Sequence, residues 1–198
     1  MPANGFPSSL KRQPNAALDR ASRTRAAGRP VGPAAPTMSR HRIRVGLISD
    51  THGQLRAEAM AALRGSDFIV HAGDIGHAGI IDQLAEIAPV IAVRGNNDRG
   101  AWSAGLREAE VLNVDAVVIY VIHDLARLRL DPVAAGFQVV VSGHSHRPGF
   151  DDRDGVLYVN PGSAGPRRFT LPVSVGELTV SGVDVTPRLL TLSVRGAA

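Results

Sequence analysis

Seven side chains able to hold a divalent cation stand just where apolar runs of the chain end. Asp50 and His52 follow the run Ile43–Ile48, and Asp74 follows Phe68-Ile69-Val70 and a glycine. Asn96, within Gly95-Asn96-Asn97-Asp98, follows the apolar run 90–93. His123 follows Val117–Ile122, and His144 and His146, within Gly143-His144-Ser145-His146, follow Val139–Val141. A carboxylate and an imidazole two residues apart can share one ion. Mixed imidazole, carboxylate and amide donors suit manganese, iron, nickel, cobalt or zinc better than magnesium or calcium. The chain has no cysteine, which excludes thiolate ligation and disulfides. Seven donors exceed the roughly four to six that one such ion takes. Two ions sharing a carboxylate would use them all, and Asp74, freed to turn tightly by Gly73, is the expected bridge. A pair of ions about 3.5–4 Å apart makes hydroxide available at neutral pH and neutralises phosphoryl oxygens, the requirements of phosphate ester hydrolysis.

The elements that must position these residues follow from periodicity. The apolar runs read as strands buried on both faces. Helical spacing over 54–64, stopped by Gly65, and over 80–88, closed by Pro89, places helices between the first three strands. That alternation predicts a parallel sheet with helices on its faces, and ligands then lie beyond the carboxyl ends of the strands. After Asp98 the rhythm changes. The spacing predicts a loop over 99–105, strands over 108–112 and 116–122 turning at Asn113, and a helix over 125–135. A strand over 137–141, a hairpin turn at 151–155 and a closing hairpin around Ser181-Gly182 complete an α/β (α+β) chain.

Asp50-x-His52, Gly73-Asp74, Gly95-Asn96-Asn97-Asp98, His123 and Gly143-His144-Ser145-His146, in that order, resemble the five motifs of the calcineurin-like metallophosphoesterases. The likeness spans residues 43–165. Asn160-Pro161-Gly162-Ser163, followed by Pro166-Arg167, narrows it to the small bacterial and archaeal phosphodiesterases. The resemblance implies a two-layered mixed β-sandwich flanked by helices. It also implies one ion on Asp50, His52, Asp74 and His146 and another on Asp74, Asn96, His123 and His144, manganese being the expected metal. The implied reaction is hydrolysis of a small phosphodiester by hydroxide held between the ions. Many members of the family carry histidine at the position of Asn97, a donor toward the substrate, which Asp98 is expected to back. An amide donates a hydrogen bond but is no general acid at neutral pH, so diesters with good leaving groups are the expected substrates. Asp124 stands where glycine is common, and capping the following helix is favoured over orienting a ligand.

Bland readings hold for the remaining candidates. His71 lies inside a strand and is expected to be a hydrogen-bonded core residue, and His77 an exposed loop histidine. Arg99 and Trp102 divide evenly between lining the pocket and ordinary solvation or packing. The 160–163 turn is expected to shape the rim. The net charge of +4 is unevenly placed: residues 1–40 hold seven basic side chains and one acid, which leaves 15 basic and 17 acidic residues beyond them. Residues 1–40 therefore read as a basic, disordered tail without the apolar core of a secretory signal, and 41–198 as the phosphoesterase domain. No apolar run approaches the ~20 residues of a membrane span. A cytoplasmic enzyme is expected, with no membrane partner and nucleic acid not favoured; the resemblance also implies a homo-oligomer, since small enzymes of that family often pair. The rival readings are a phosphomonoesterase of the same fold, a nuclease, and a non-catalytic scaffold such as the retromer subunit.

Overall fold

The computed structural model describes residues 41–194; the expected basic tail lies outside them. The first three apolar runs form β1 (Ile43–Ile48), β2 (Phe68–His71) and β3 (Val90–Ala92), all parallel. Their crossovers are α1 (Ala57–Leu63) and α2 (Ala78–Ala85), each shorter than the spacing predicts. The chain then makes the hairpin β4 (Ala109–Val114) and β5 (Val117–Ile122), followed by β6 (Val139–Val141). A second hairpin, β7 (Gly149–Arg153) and β8 (Val156–Asn160), precedes a third, β9 (Ser174–Ser181) and β10 (Asp184–Thr191). The strands sort into two mixed five-stranded sheets, β10-β9-β1-β2-β3 and β4-β5-β6-β8-β7.

Period-two alternation explains the layering. Val45 and Leu47 of β1, with Val70 of β2, meet Val117, Ile119 and Val121 of β5 and Val139 and Val141 of β6 between the sheets. Ile48 and Ile69 point the other way, onto Ala59 and Leu63 of α1 and Ile80 and Leu84 of α2. The expected two-layered sandwich is thus present, with the helices against the first sheet. The outer face of the second sheet carries a smaller cluster built on Ile122, Val140 and Val156.

Three local expectations are corrected. The 109–122 hairpin turns at Asp115 (φ 54°), not at Asn113, which pairs with Val118 inside β4. The second hairpin turns at Asp154 and Gly155, both with positive φ, while Asp151 and Asp152 belong to β7. The helix over 125–135 is absent: a 3-10 turn at Leu125–Arg127 ends at an extended Leu128, and a separate turn starts at Asp131. Pro132 has no N–H to give and disfavours helical backbone before it, so the segment splits into pieces too short to propagate.

Candidate metal centre

All seven candidate side chains converge at one rim, reached from the carboxyl ends of β1, β2, β3, β5 and β6. Five of them hold a left-handed backbone: Asp50 (φ 53°), His52 (46°), Asp74 (55°), His144 (65°) and His146 (57°). Non-glycine residues in that region cost about 1–3 kcal/mol each and persist where the surroundings over-determine them. Here the loop after β1 is laced to the loop after β2 by Asp50 N to Gly73 O (3.0 Å), His52 N to Asp74 O (2.9 Å) and Gly53 N to Ile75 O (2.9 Å). Two glycines permit the close approach. A Cβ on Gly95 would stand 2.1 Å from Asp74 N, and one on Gly143 would stand 2.0 Å from Ser49 Oγ.

Two neighbourhoods result. In the first, Asp50 Oδ1 lies 3.1 Å from His146 Nε2 and 3.8 Å from His52 Nε2, with the two imidazole nitrogens 3.3 Å apart. In the second, Asn96 Oδ1 lies 3.1 Å from His123 Nε2 and 3.0 Å from His144 Nδ1. Asp74 Oδ2 reaches into both, 3.8 Å from His52 Nε2 and 3.5 Å from His123 Nε2.

Two observations show that a cation fits. The Asp50 side chain is fully buried; its Oδ2 accepts from Ser49 Oγ (2.7 Å) and His144 N (3.1 Å), but Oδ1 has no hydrogen-bond partner. A buried carboxylate oxygen left so is costly unless a positive charge faces it. His123 Nδ1 lies 2.7 Å from Ala72 O, which only accepts, so this nitrogen carries the proton. The neutral ring then turns the Nε2 lone pair toward two more acceptors, Asn96 Oδ1 and Asp74 Oδ2. Only a proton or a metal reconciles three electron-rich atoms so placed.

The electrostatics follow from burial and these contacts. Burial alone would raise Asp74, but His123 and the Asn97 donors outweigh it and hold the carboxyl well below the usual range. Burial likewise opposes protonation of His123, yet Asp74 and the Ala72 carbonyl hold the imidazole above its ordinary value. For His52 burial wins and lowers it, against the pull of Asp74 and Asp50.

His71 is the buried core histidine that its place in β2 predicts. Its Nδ1 accepts from Gly73 N–H (3.2 Å), so its Nε2–H donates to Thr51 Oγ1 (2.9 Å), which donates to Ile75 O (2.8 Å). This relay pins the turns that carry Asp50 and Asp74. Burial lowers His71 from 6.5 to about 3. The unfolded chain therefore binds a proton that the native state refuses. The contribution to stability is complete above pH 6.5 and declines as pH falls toward 3. Urea unfolding of metal-free protein is expected to show His71→Gln losing less stability than wild type between pH 7 and pH 5, by up to about 2 kcal/mol. Equal pH slopes would refute this.

Other candidates fall differently. The Asn97 amide donates to Asp74 Oδ2 (2.6 Å), and its backbone N–H donates to Asp74 Oδ1 (2.8 Å), although the residue lines the cleft. Asp98, expected to back Asn97, directs its carboxylate to backbone N–H groups instead. Its oxygens accept from Gly76 N (2.9 Å) and Gly95 N (2.8 Å), so it braces the turn carrying Asn96. Asp124 caps its turn by accepting from Ala126 N (3.0 Å). His77 is exposed at the start of α2, Arg99 is exposed, and Trp102 packs beside α1 and α2. The 160–163 turn supports the rim: Asn160 Nδ2 donates to Gly143 O (2.7 Å) and Ser163 Oγ to Asp50 O (2.9 Å). Sequence reasoning missed Arg168, Phe169 and Leu171, which line the cleft. Arg168 also acts electrostatically on His52. The Arg167-Arg168 pair beyond the 160–163 turn was the available signal.

Comparison with known proteins agrees with this geometry. Residues 43–182 match the calcineurin-like phosphoesterase superfamily domain. A probable metallophosphoesterase of Methanocaldococcus jannaschii is 36% identical over 149 residues, 69% of this chain and 75% of that protein. A phosphodiesterase of the same organism is 26% identical over 138 residues, covering 61% of this chain and 83% of the relative. The vacuolar protein sorting 29 structure from Cryptosporidium parvum aligns with a TM-score of 0.63 at 17% identity, over 76% of this chain and 98% of that one. That likeness concerns the fold alone. Since the matched span carries every one of the seven convergent side chains, the chain belongs to the calcineurin-like phosphoesterase superfamily.

Proposed function

We propose that this phosphoesterase is a cytoplasmic, dinuclear, manganese-dependent phosphodiesterase acting on small diesters. The observation that supports it best is the pair of donor sets meeting at Asp74, with the unpartnered Asp50 Oδ1 facing two imidazoles. Asp50, His52, Asp74 and His146 would hold one ion, and Asp74, Asn96, His123 and His144 the other. When bound, such a pair supplies Lewis acidity toward phosphoryl oxygens and a hydroxide nucleophile at neutral pH. The chain's own part is orientation. His71, Asp98 and Asn160 fix the loops after β1, β2, β3 and β6, and Arg168 brings a guanidinium to the cleft for an anionic substrate. Were Asp74 committed to cations, the Asn97 amide, which now donates to Asp74 Oδ2, would be available as a donor to a phosphoryl oxygen.

Neither Asn97 nor Asp98 can protonate a leaving alkoxide, one being an amide and the other held by two backbone N–H groups. Full-length protein stripped of metal and reloaded ion by ion is therefore expected to hydrolyse bis(4-nitrophenyl) phosphate. Turnover of a simple alkyl monophosphate should be slower by about a hundredfold or more. Equal or faster turnover of the monoester would favour a phosphomonoesterase, and inertness with every ion would favour the scaffold reading.

A further inference from the structure

A second cavity of about 280 Å³ adjoins the cleft and shares Asn96 and His144 with it. Its floor is apolar: Ala109 of β4 pairs with Ile122 of β5, and Tyr120 lies two residues before Ile122 on the same outer face. The Tyr120 ring is held by stacking on Phe137, with centroids 4.9 Å apart and planes 17° off parallel. Its rim is charged but balanced. Arg94 is paired with Glu108 at 2.9 Å, Asp124 uses one carboxylate oxygen in its cap, and Arg127 completes the charged lining.

Two guanidiniums and two carboxylates give the rim donors and acceptors with no net charge. A second anionic group would gain little there, and a bare alkyl chain would match the floor while leaving the rim unanswered. A flat heteroaromatic ring bearing both donors and acceptors answers both. The volume lies just below the roughly 300–1,000 Å³ of whole-ligand pockets, room for one substituent and not for two. We propose that this cavity is a subsite for one ester substituent of the substrate, and that the substituent is a nucleoside-like ring system. The inference rests on the phosphodiesterase reading and deepens it by assigning one arm of the diester. Tyr120 and Ile122 form the platform for the ring, Arg127 and Glu108 read its polar edge, and phosphorus sits over Asn96 and His144.

The test uses the full chain reloaded with manganese and two diesters sharing one leaving group, thymidine 5′-(4-nitrophenyl) phosphate and methyl 4-nitrophenyl phosphate. Wild-type protein is expected to prefer the thymidine diester by about tenfold or more in kcat/KM, chiefly through KM. Ala109→Leu, which fills the floor, and Arg127→Ala, which opens the rim, should each reduce that preference, the first by about tenfold. As a readout independent of turnover, thymidine alone titrated into metal-free protein should shift the amide resonances of Ala109, Tyr120 and Ile122. A preference untouched by both variants, or thymidine shifts absent from these residues, overturns the subsite. If no diester is turned over, the phosphodiesterase reading falls, and the thymidine titration still decides the cavity.

Discussion

Asp74→Ala is expected to lower kcat/KM for bis(4-nitrophenyl) phosphate by about 10²–10³-fold or more, and to do so by losing metal. Its Oδ2 lies within 4 Å of imidazoles from both donor sets, 3.8 Å from His52 Nε2 and 3.5 Å from His123 Nε2. Removing it leaves each set a donor short and would uncouple the two ions of the proposed paired centre. The same carboxylate accepts both Asn97 donors, so alanine also strands a partly buried N–H at a cost of about 1–3 kcal/mol. Asp74→Asn separates the two effects. It retains an oxygen for the Asn97 backbone but no carboxylate to bridge, so stability should recover further than activity. Full activity in either variant, measured with metal in excess, would contradict the bridging role.

Gly95→Ala should be nearly as damaging, for a steric reason. The added Cβ would stand 2.1 Å from Asp74 N, 2.2 Å from Asp74 Oδ1 and 2.8 Å from Asp74 Cα. Two of those atoms are backbone in a loop laced to its neighbour by hydrogen bonds, so no rotamer change relieves the clash. A loss of about 3 kcal/mol in urea unfolding of metal-free protein is expected, at the upper end of overpacking effects. Activity should fall by about a hundredfold or more, because the atoms displaced belong to the residue proposed to bridge the two ions. Gly105→Ala is the control: nothing lies within 4 Å of its added Cβ, and it should stay within about 0.5 kcal/mol of wild type.

The sequence made the skeleton of this account legible because the site is built from local units. Each candidate ligand follows an apolar run within a few residues, and the β-branched runs and glycine turns carry the strand periodicity. His71 could be read as core from its place within β2. The hydrogen-bond wiring could not be read, since it joins residues distant in the chain. Asp98 braces Gly76 across 22 residues, the Asn97 amide meets Asp74 across 23, and Asn160 holds Gly143 across 17. The segment 125–135 misled because Leu125, Leu128 and Val133 keep helical spacing on either side of a proline. Val133, expected on the apolar face of that helix, is 53% exposed. Arg168 and the cavity floor depend on how the last third of the chain and the 109–122 hairpin fold against the rim, which periodicity does not encode.

The most direct test of the central claim is metal stoichiometry. Protein stripped with chelator, dialysed against manganese and then freed of excess ion should carry two manganese ions per chain by elemental analysis. Asp74→Ala should carry no more than one. One ion or none on the wild-type chain, or two on Asp74→Ala, would contradict a paired centre built across that carboxylate.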